Sequence, residues 1–224
     1  MSDLTPLSYS SVQRVQALHQ TTALWRLLRE PEVQVFDVRL DDDVKKLPRL
    51  APRAQRLSPK EAAEQAGPAL VFCHTGLKLS HGTAAWMRAV GEEAHVVSGG
   101  MVSWIDAALP TVGSRLLSAS GLWTLSDAPS ASFVEWLIAR FLPPRYKVLR
   151  VPKADSIAVS QRFSAPILNA ETVLDVLDIS WPPLRGLVQD LASHNHLLRV
   201  ATPSQSNSLL DCMLTAHVAG EQTT

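Results

Sequence analysis

The sequence predicts an α/β fold, a mostly parallel sheet with helices on both faces, followed by a smaller helix-rich α+β part. Three observations lead there. Short β-branched runs alternate with segments of helical spacing, only brief loops separate them, and the pattern changes character after about residue 120. Thr21 or Thr22 is placed to cap a helix carrying Ala23, Leu24, Leu27 and Leu28. Residues 33–38 (VQVFDV), 69–73 (ALVFC) and 95–98 (HVVS) read as strands. Between them, residues 59–66 form a short helix with Ser58 as N-cap, stopped at Gly67-Pro68. A longer helix starts at Ser80 or Thr83, runs through Ala84, Ala85, Met87 and Val90, and ends at Gly91 as a C-cap. Asp41, Asp42 and Asp43 read as a solvated turn.

Residues 110–120 (PTVGSRLLSAS) are the expected linker, dividing the chain into domains at 1–112 and 119–224. In the second part, residues 136–141 are helical by spacing and stopped by Pro143-Pro144. Residues 146–151 are a strand candidate, and 155–163, 171–179 and 184–193 are helical. From Ala201 onward the chain is polar and expected to fray in part.

Composition excludes several function classes. Of 224 residues, 46% are hydrophobic and 19% charged, which argues against a disordered tail. Twenty-one basic residues balance twenty-one acidic ones, so nucleic acid is not an expected partner. No apolar run approaches the roughly 20 residues that span a bilayer. The opening residues carry no basic-then-apolar leader pattern, and Cys73 and Cys212 make no disulfide framework. The expectation is a soluble, cytoplasmic protein. His194, His196, Cys212 and His217 lack the paired spacing of a metal centre, and no metal is expected. The six tryptophans are spread singly, as core anchors are.

The chemistry concentrates in Cys73-His74-Thr75-Gly76-Leu77-Lys78, where an apolar strand ends in a cysteine and a Gly-containing loop leads into a helix. Ligand sites of open α/β sheets lie at the carboxyl ends of strands. Loop N–H groups and the positive end of the following helix favour thiolate over thiol, and thiolate is the nucleophile. Lys78 adds a charge that attracts anions, and Gly76 permits the positive φ of a tight loop. The segment reads as an anion-holding cradle around a nucleophile. The plainer alternative for Cys73 is an inert buried thiol. His74 and His81 flank the loop, where either could help polarise a substrate or acceptor; otherwise His74 packs over the loop and His81 caps or is solvated at the helix start.

Cys73-x-x-Gly76-x-Lys78 after a strand resembles the active-site loop of the rhodanese-like sulfurtransferases. Asp37-Val38-Arg39 resembles that family's Asp-Val-Arg signature, and Gly99-Gly100-Met101-Val102-Ser103-Trp104 its closing Gly-Gly-x-x-x-Trp. Together these cover roughly residues 14 to 109. The resemblance implies a rhodanese-like sheet and transfer of sulfane sulfur from a small anionic donor to a thiol acceptor, a small molecule or a protein, with no cofactor. Cys73 would be the nucleophile, while His74, Thr75, Gly76, Leu77 and Lys78 would hold the donor. Asp37, Arg39, Gly99, Gly100 and Trp104 would support the loops. The sequence departs from the family in lacking a Gly-His-Ile-Pro-Gly-Ala-type segment, residues 41–48 reading DDDVKKLP. It also has Lys78 where Arg is frequent and Leu79 where Ser is frequent, with Ser80 one place later.

The pattern Gly76-x-x-x-Ser80-His81-Gly82 resembles rhodanese-like units fused ahead of chromate-resistance domains. Residues 136–141 (WLIARF), Val151-Pro152 and 157–166 (IAVSQRFSAP) resemble the chromate-resistance protein B domain. That family's basic residues and cysteine before the Trp-Leu-Ile helix are absent from residues 126–135, so none of its functional residues is carried over. The competing expectation is a non-catalytic interaction or regulatory module in a chromate or stress response.

Overall fold

In the computed structural model of the chain, the described residues are 17–115, 122–126, 131–168, 172–200 and 203–221. The first part runs β1 (Ala17–Leu18), α1 (Gln20–Arg29), β2 (Gln34–Asp37), α2 (Asp41–Lys46), β3 (Arg49–Leu50), β4 (Gln55–Arg56), α3 (Pro59–Ala63), β5 (Ala69–Phe72), α4 (Lys78–Ala89), β6 (Ala94–Val97), α5 (Gly100–Asp106) and β7 (Thr111–Gly113). Five strands form one parallel sheet in the order β1-β6-β5-β2-β4. Its inner strands are apolar on both faces because helices cover both.

Side-chain alternation sorts that sheet into two cores. Val35, Leu70, Phe72 and Val97 point to the side holding Leu24 and Leu27 of α1 and Met101 and Trp104 of α5. Phe36, Val71, Val96 and Cys73 point to the other side, against Ala62 of α3 and Ala84 and Met87 of α4. The helices form where their caps allow. Ser58 accepts from Glu61 N–H while the Glu61 carboxylate accepts from Ser58 N–H, so α3 opens on a reciprocal capping box with Pro59 in its first turn.

Several boundaries differ from expectation for identifiable reasons. His19, not a threonine, caps α1, its Nδ1 accepting from Thr21 N–H. Helix α4 begins at Lys78 because Ser80 and Thr83 have other uses: Ser80 meets Cys73, and Thr83 donates back to the Leu79 carbonyl. It ends with Gly91 at φ 95° just past Val90, where Glu92 N–H donates to the Met87 carbonyl. Helix α3 stops at Ala63, short of Ala66. The three aspartates are the first turn of α2, Asp41 and Asp42 exposed and Asp43 half-buried, where negative charge suits the helix dipole.

The second part runs β8 (Leu122–Ser126), α6 (Ala131–Phe141), β9 (Lys147–Val151), α7 (Ser156–Phe163), β10 (Ile167–Leu168), α8 (Val173–Val176), β11 (Ile179–Ser180), α9 (Pro182–Val200) and α10 (Pro203–Glu221). Strands β10-β8-β9 form a small parallel sheet. The helix expected over 171–179 is a single turn, α8, before β11. The tail expected to fray holds α10 instead: Leu210, Leu214 and Val218 recur every four residues and all sit in the core.

Strand β7 occupies the first residues of the expected linker, and 116–120 lie outside the described residues. It pairs antiparallel with β3 on one side and β11 on the other. Leu27, Leu28, Val35 and Trp104 share one contiguous apolar cluster with Phe133, Phe141, Trp181 and Leu214. None of the described helices is long and apolar enough to cross a membrane.

Candidate active site at the carboxyl end of the parallel sheet

Cys73 follows the last residue of β5 and is only 4% exposed. Its Sγ lies 3.0 Å from Oγ of Ser80, itself fully buried in the first turn of α4. A helix turn and a strand end thus place a hydroxyl against the thiol. Sequence reasoning saw Ser80 as one of two starts for the helix and as a displaced motif serine. The hint was its position seven residues after the cysteine; the contact depends on how α4 docks under β5.

The loop between them is held from behind. The carbonyls of Cys73 and His74 accept from Met101 and Val102 N–H, fixing the loop to the start of α5. The N–H groups of His74, Thr75, Gly76 and Leu77 make no hydrogen bond among the described residues. The loop therefore keeps a run of unused backbone donors beside the thiol. Leu77 caps α4 without a side-chain hydrogen bond, so the helix start is unoccupied by any cap acceptor.

Two glycines make this packing possible. Gly100 has φ 58°, and a Cβ there would lie 2.3 Å from the Cys73 carbonyl oxygen and 2.5 Å from Gly76 N. Gly76 has φ 66°, and its Cβ would lie 2.7 Å or less from Val97 O and Gly100 N. Gly99, also at positive φ, is crowded by Ser103. The Gly-Gly turn is therefore the floor of the loop. Trp104, fully buried as the fifth residue of α5, meets Phe72 edge-on at 5.2 Å and donates Nε1–H to the Pro110 carbonyl at 2.8 Å.

The remaining loop residues face outward to different degrees. Thr75, Leu77 and Lys78 are exposed, and Lys78 makes no ion pair among the described residues. His74 is half-buried, with its Nδ1 enclosed and without a partner. Gly76 is buried beneath them.

Asp37 and Arg39 form a fully buried ion pair at the end of β2, next to β5. Arg39 Nε and Nη2 reach the Asp37 carboxylate at 2.6–3.0 Å, and Arg39 N–H donates to it as well. The guanidinium also donates to the carbonyls of Leu47 and Arg49. Every polar edge is used, which is what a buried pair needs in order to persist. The pair locks the segment after β2 onto β3.

Among the described residues no group of three or more His, Cys, Asp or Glu side chains could hold a metal. The side chains of His194 and His196 lie outside the described residues. Cys212 is exposed, and His217 Nε2 meets Asp190 at 3.0 Å.

No known protein-family profile matches the chain, and no curated protein does either. Solved structures do. A thiosulfate sulfurtransferase from Pseudomonas aeruginosa is 24% identical, over 44% of this chain and 19% of that one, with a TM-score of 0.37. A rhodanese-like domain protein from Staphylococcus aureus is 22% identical, over 40% and 90%, with a TM-score of 0.33. A rhodanese homolog from Thermus thermophilus is 27% identical, over 38% and 95%, with a TM-score of 0.30. These neighbours are rhodanese-like proteins that align with less than half of the chain.

Proposed function

We propose that the chain is a sulfurtransferase that moves sulfane sulfur from thiosulfate or a similar small anion to a thiol acceptor through a persulfide on Cys73. The single observation that carries this reading is the thiol at a strand end beside a loop whose consecutive N–H groups are unused. Such a loop suits an anionic group next to a nucleophile.

In the first step the Cys73 thiolate attacks the outer sulfur of thiosulfate. The bond between the two thiosulfate sulfurs breaks, and sulfite leaves with the bonding pair. Loop N–H groups and the Lys78 ammonium stabilise the sulfonate oxygens. In the second step an acceptor thiolate attacks the outer sulfur of the persulfide, and Cys73 leaves as thiolate, hydrogen-bonded by Ser80 Oγ–H. The persulfide sits where Gly76 and Gly100 leave the loop no freedom to collapse. On the same reading, the second part is a chromate-resistance protein B-like domain that has kept its fold and lost its motif residues, and the protein works in a reducing, cytoplasmic setting.

The enclosure of Cys73 favours a second reading, a non-catalytic rhodanese-like interaction or regulatory module. Intact mass after incubation with thiosulfate separates the two. One added sulfur on the wild type, absent in Cys73→Ser and released by a small thiol, is the expected result; an unmodified mass with a titratable Cys73 would sink the catalytic reading.

A further inference from the structure

Helix α4 packs on the sheet through Ser80, Thr83, Ala84 and Met87, which leaves its other side facing outward. Half-buried Leu79, then Gly82, Trp86 and Val90, follow one another at intervals of three and four residues, so they line one flank of the helix. Trp86 is 58% exposed and Val90 63%, whereas Trp104 and Trp136 of the same chain are buried. Large apolar side chains left out together mark a surface that associates, and tryptophan is enriched among the residues that anchor such contacts. Ala85 and Ala89 extend the uncharged surface, and α4 carries no acidic residue.

Gly82 has no reason within a single chain. Glycine weakens the interior of a helix, and it suits a site where the backbone needs a positive φ or another group approaches closely. Gly82 is not among the glycines at positive φ, and a Cβ there would meet nothing within 4 Å beyond the helix's own backbone. Gly76, Gly99 and Gly100, by contrast, are all crowded from inside the fold. Gly82 is therefore an open notch in an apolar flank, one turn from the exposed indole. The ends of the flank differ in charge. Lys78 opens the helix and makes no ion pair among the described residues. Glu92, just past its end, accepts from Gly67 N–H but meets no cation among the described residues.

We propose that this flank of α4 is a homodimer interface, on which a second copy of the chain packs antiparallel about a two-fold axis. Trp86 of each copy fills the notch at the partner's Gly82, so one surface supplies both projection and recess, as an isologous interface requires. With the axis midway between residues 82 and 86, Lys78 comes opposite the partner's Val90. The partner's Glu92 lies two residues further, about 3 Å along the helix at its ordinary rise, so the basic start of each helix lies beside the acidic end of the other. The helix dipoles also oppose favourably. A parallel pair would instead set Lys78 against Lys78 and Trp86 against Trp86, leaving both notches empty. The contact is one helix long and its area is modest, so the two copies exchange readily.

The test is sedimentation velocity of the full chain over a concentration series. The wild type should pass from one copy to two as its concentration rises through the micromolar range. Trp86→Ser removes the projection and Gly82→Gln fills the notch, and each should weaken association at least tenfold. Gly82→Gln also replaces a helix-interior glycine at an open position, so the unfolding midpoint of the monomer should not fall. That separates loss of the interface from loss of the fold. A wild type that stays monomeric at high micromolar concentration would overturn the proposal. Its co-sedimentation with phosphatidylcholine vesicles, lost in Trp86→Ser, would then give the flank to a lipid surface instead. A dimer that survives unweakened in either variant would overturn it as well, since the contact would lie elsewhere.

Discussion

At the residue scale, the Cys73–Ser80 contact decides how the thiol behaves. A hydroxyl 3.0 Å from sulfur in a buried setting can donate to a thiolate more favourably than water-competing groups at a surface. Ser80→Ala should therefore slow persulfide formation about tenfold, corresponding to about 1.4 kcal/mol, while leaving the unfolding midpoint nearly unchanged. Single-turnover labelling with thiosulfate measures it, and an unchanged rate would remove Ser80 from the reaction. Gly100→Ala should behave oppositely. Its Cβ would press on the backbone of Cys73 and Gly76, where nothing flexible can yield, so a loss of about 2–3 kcal/mol is expected in urea titrations. The cysteine, its glycine and its lysine were legible in the sequence because they lie within one strand–loop–helix unit. Ser80's contact and Arg53's burial were not, since both depend on how distant elements dock.

At the element scale, caps and ion pairs at strand and helix ends set local stability. Ser58→Ala removes half of a capping box and should cost about 1 kcal/mol. Glu93, at the entrance to β6, is held below the usual carboxylate range, chiefly by its hydrogen bond from Arg26 and then by His95. Its folded pKa lies below its unfolded one, so the bound proton belongs more to the unfolded chain. The stabilisation is complete above the ordinary glutamate value of about 4.3 and disappears as pH falls through the lower folded value. Wild type and Glu93→Gln should thus differ in urea midpoint at pH 7 and converge near pH 3; a gap that persists in acid would show that the carboxylate's charge is not involved. Helix α10 shows the limit of local reading. Its polar amino end, SQSN, hides the stripe of Leu210, Leu214 and Val218, and the Asp211 carboxylate accepts from Trp136 and Arg140 on α6.

At the scale of the whole molecule, the two parts of the chain share a core and a latch. Arg49 of β3 grips Asp178 through its side chain at 2.6 Å and its carbonyl at 2.9 Å, and also bonds Thr111. Gly113 leaves room for the Asp178 carboxylate, which a Cβ there would meet at 1.9 Å. Because Arg39 in turn holds the Arg49 carbonyl, this latch connects the second part to the strand end beside the cysteine loop. Arg49→Ala should lower stability by about 1–3 kcal/mol and loosen both parts together, measured as one cooperative transition at a lower urea midpoint. Two separated transitions would show instead that the parts unfold independently.

The sequence by itself determined the parallel sheet, its covering helices and the cysteine loop, because strand alternation, helix spacing and turn glycines are written in neighbouring residues. Only the tertiary structure decided the rest. The β3-β7-β11 sheet, the tail helix, the serine beneath the thiol and the buried Arg53 that bonds the carbonyls of Glu30, Pro31 and Val33 arise between residues far apart in the chain. Short strands of two or three residues carry too little local pattern to be read. They exist because the shared apolar core brings their backbones within hydrogen-bonding reach, and burial then obliges those groups to pair.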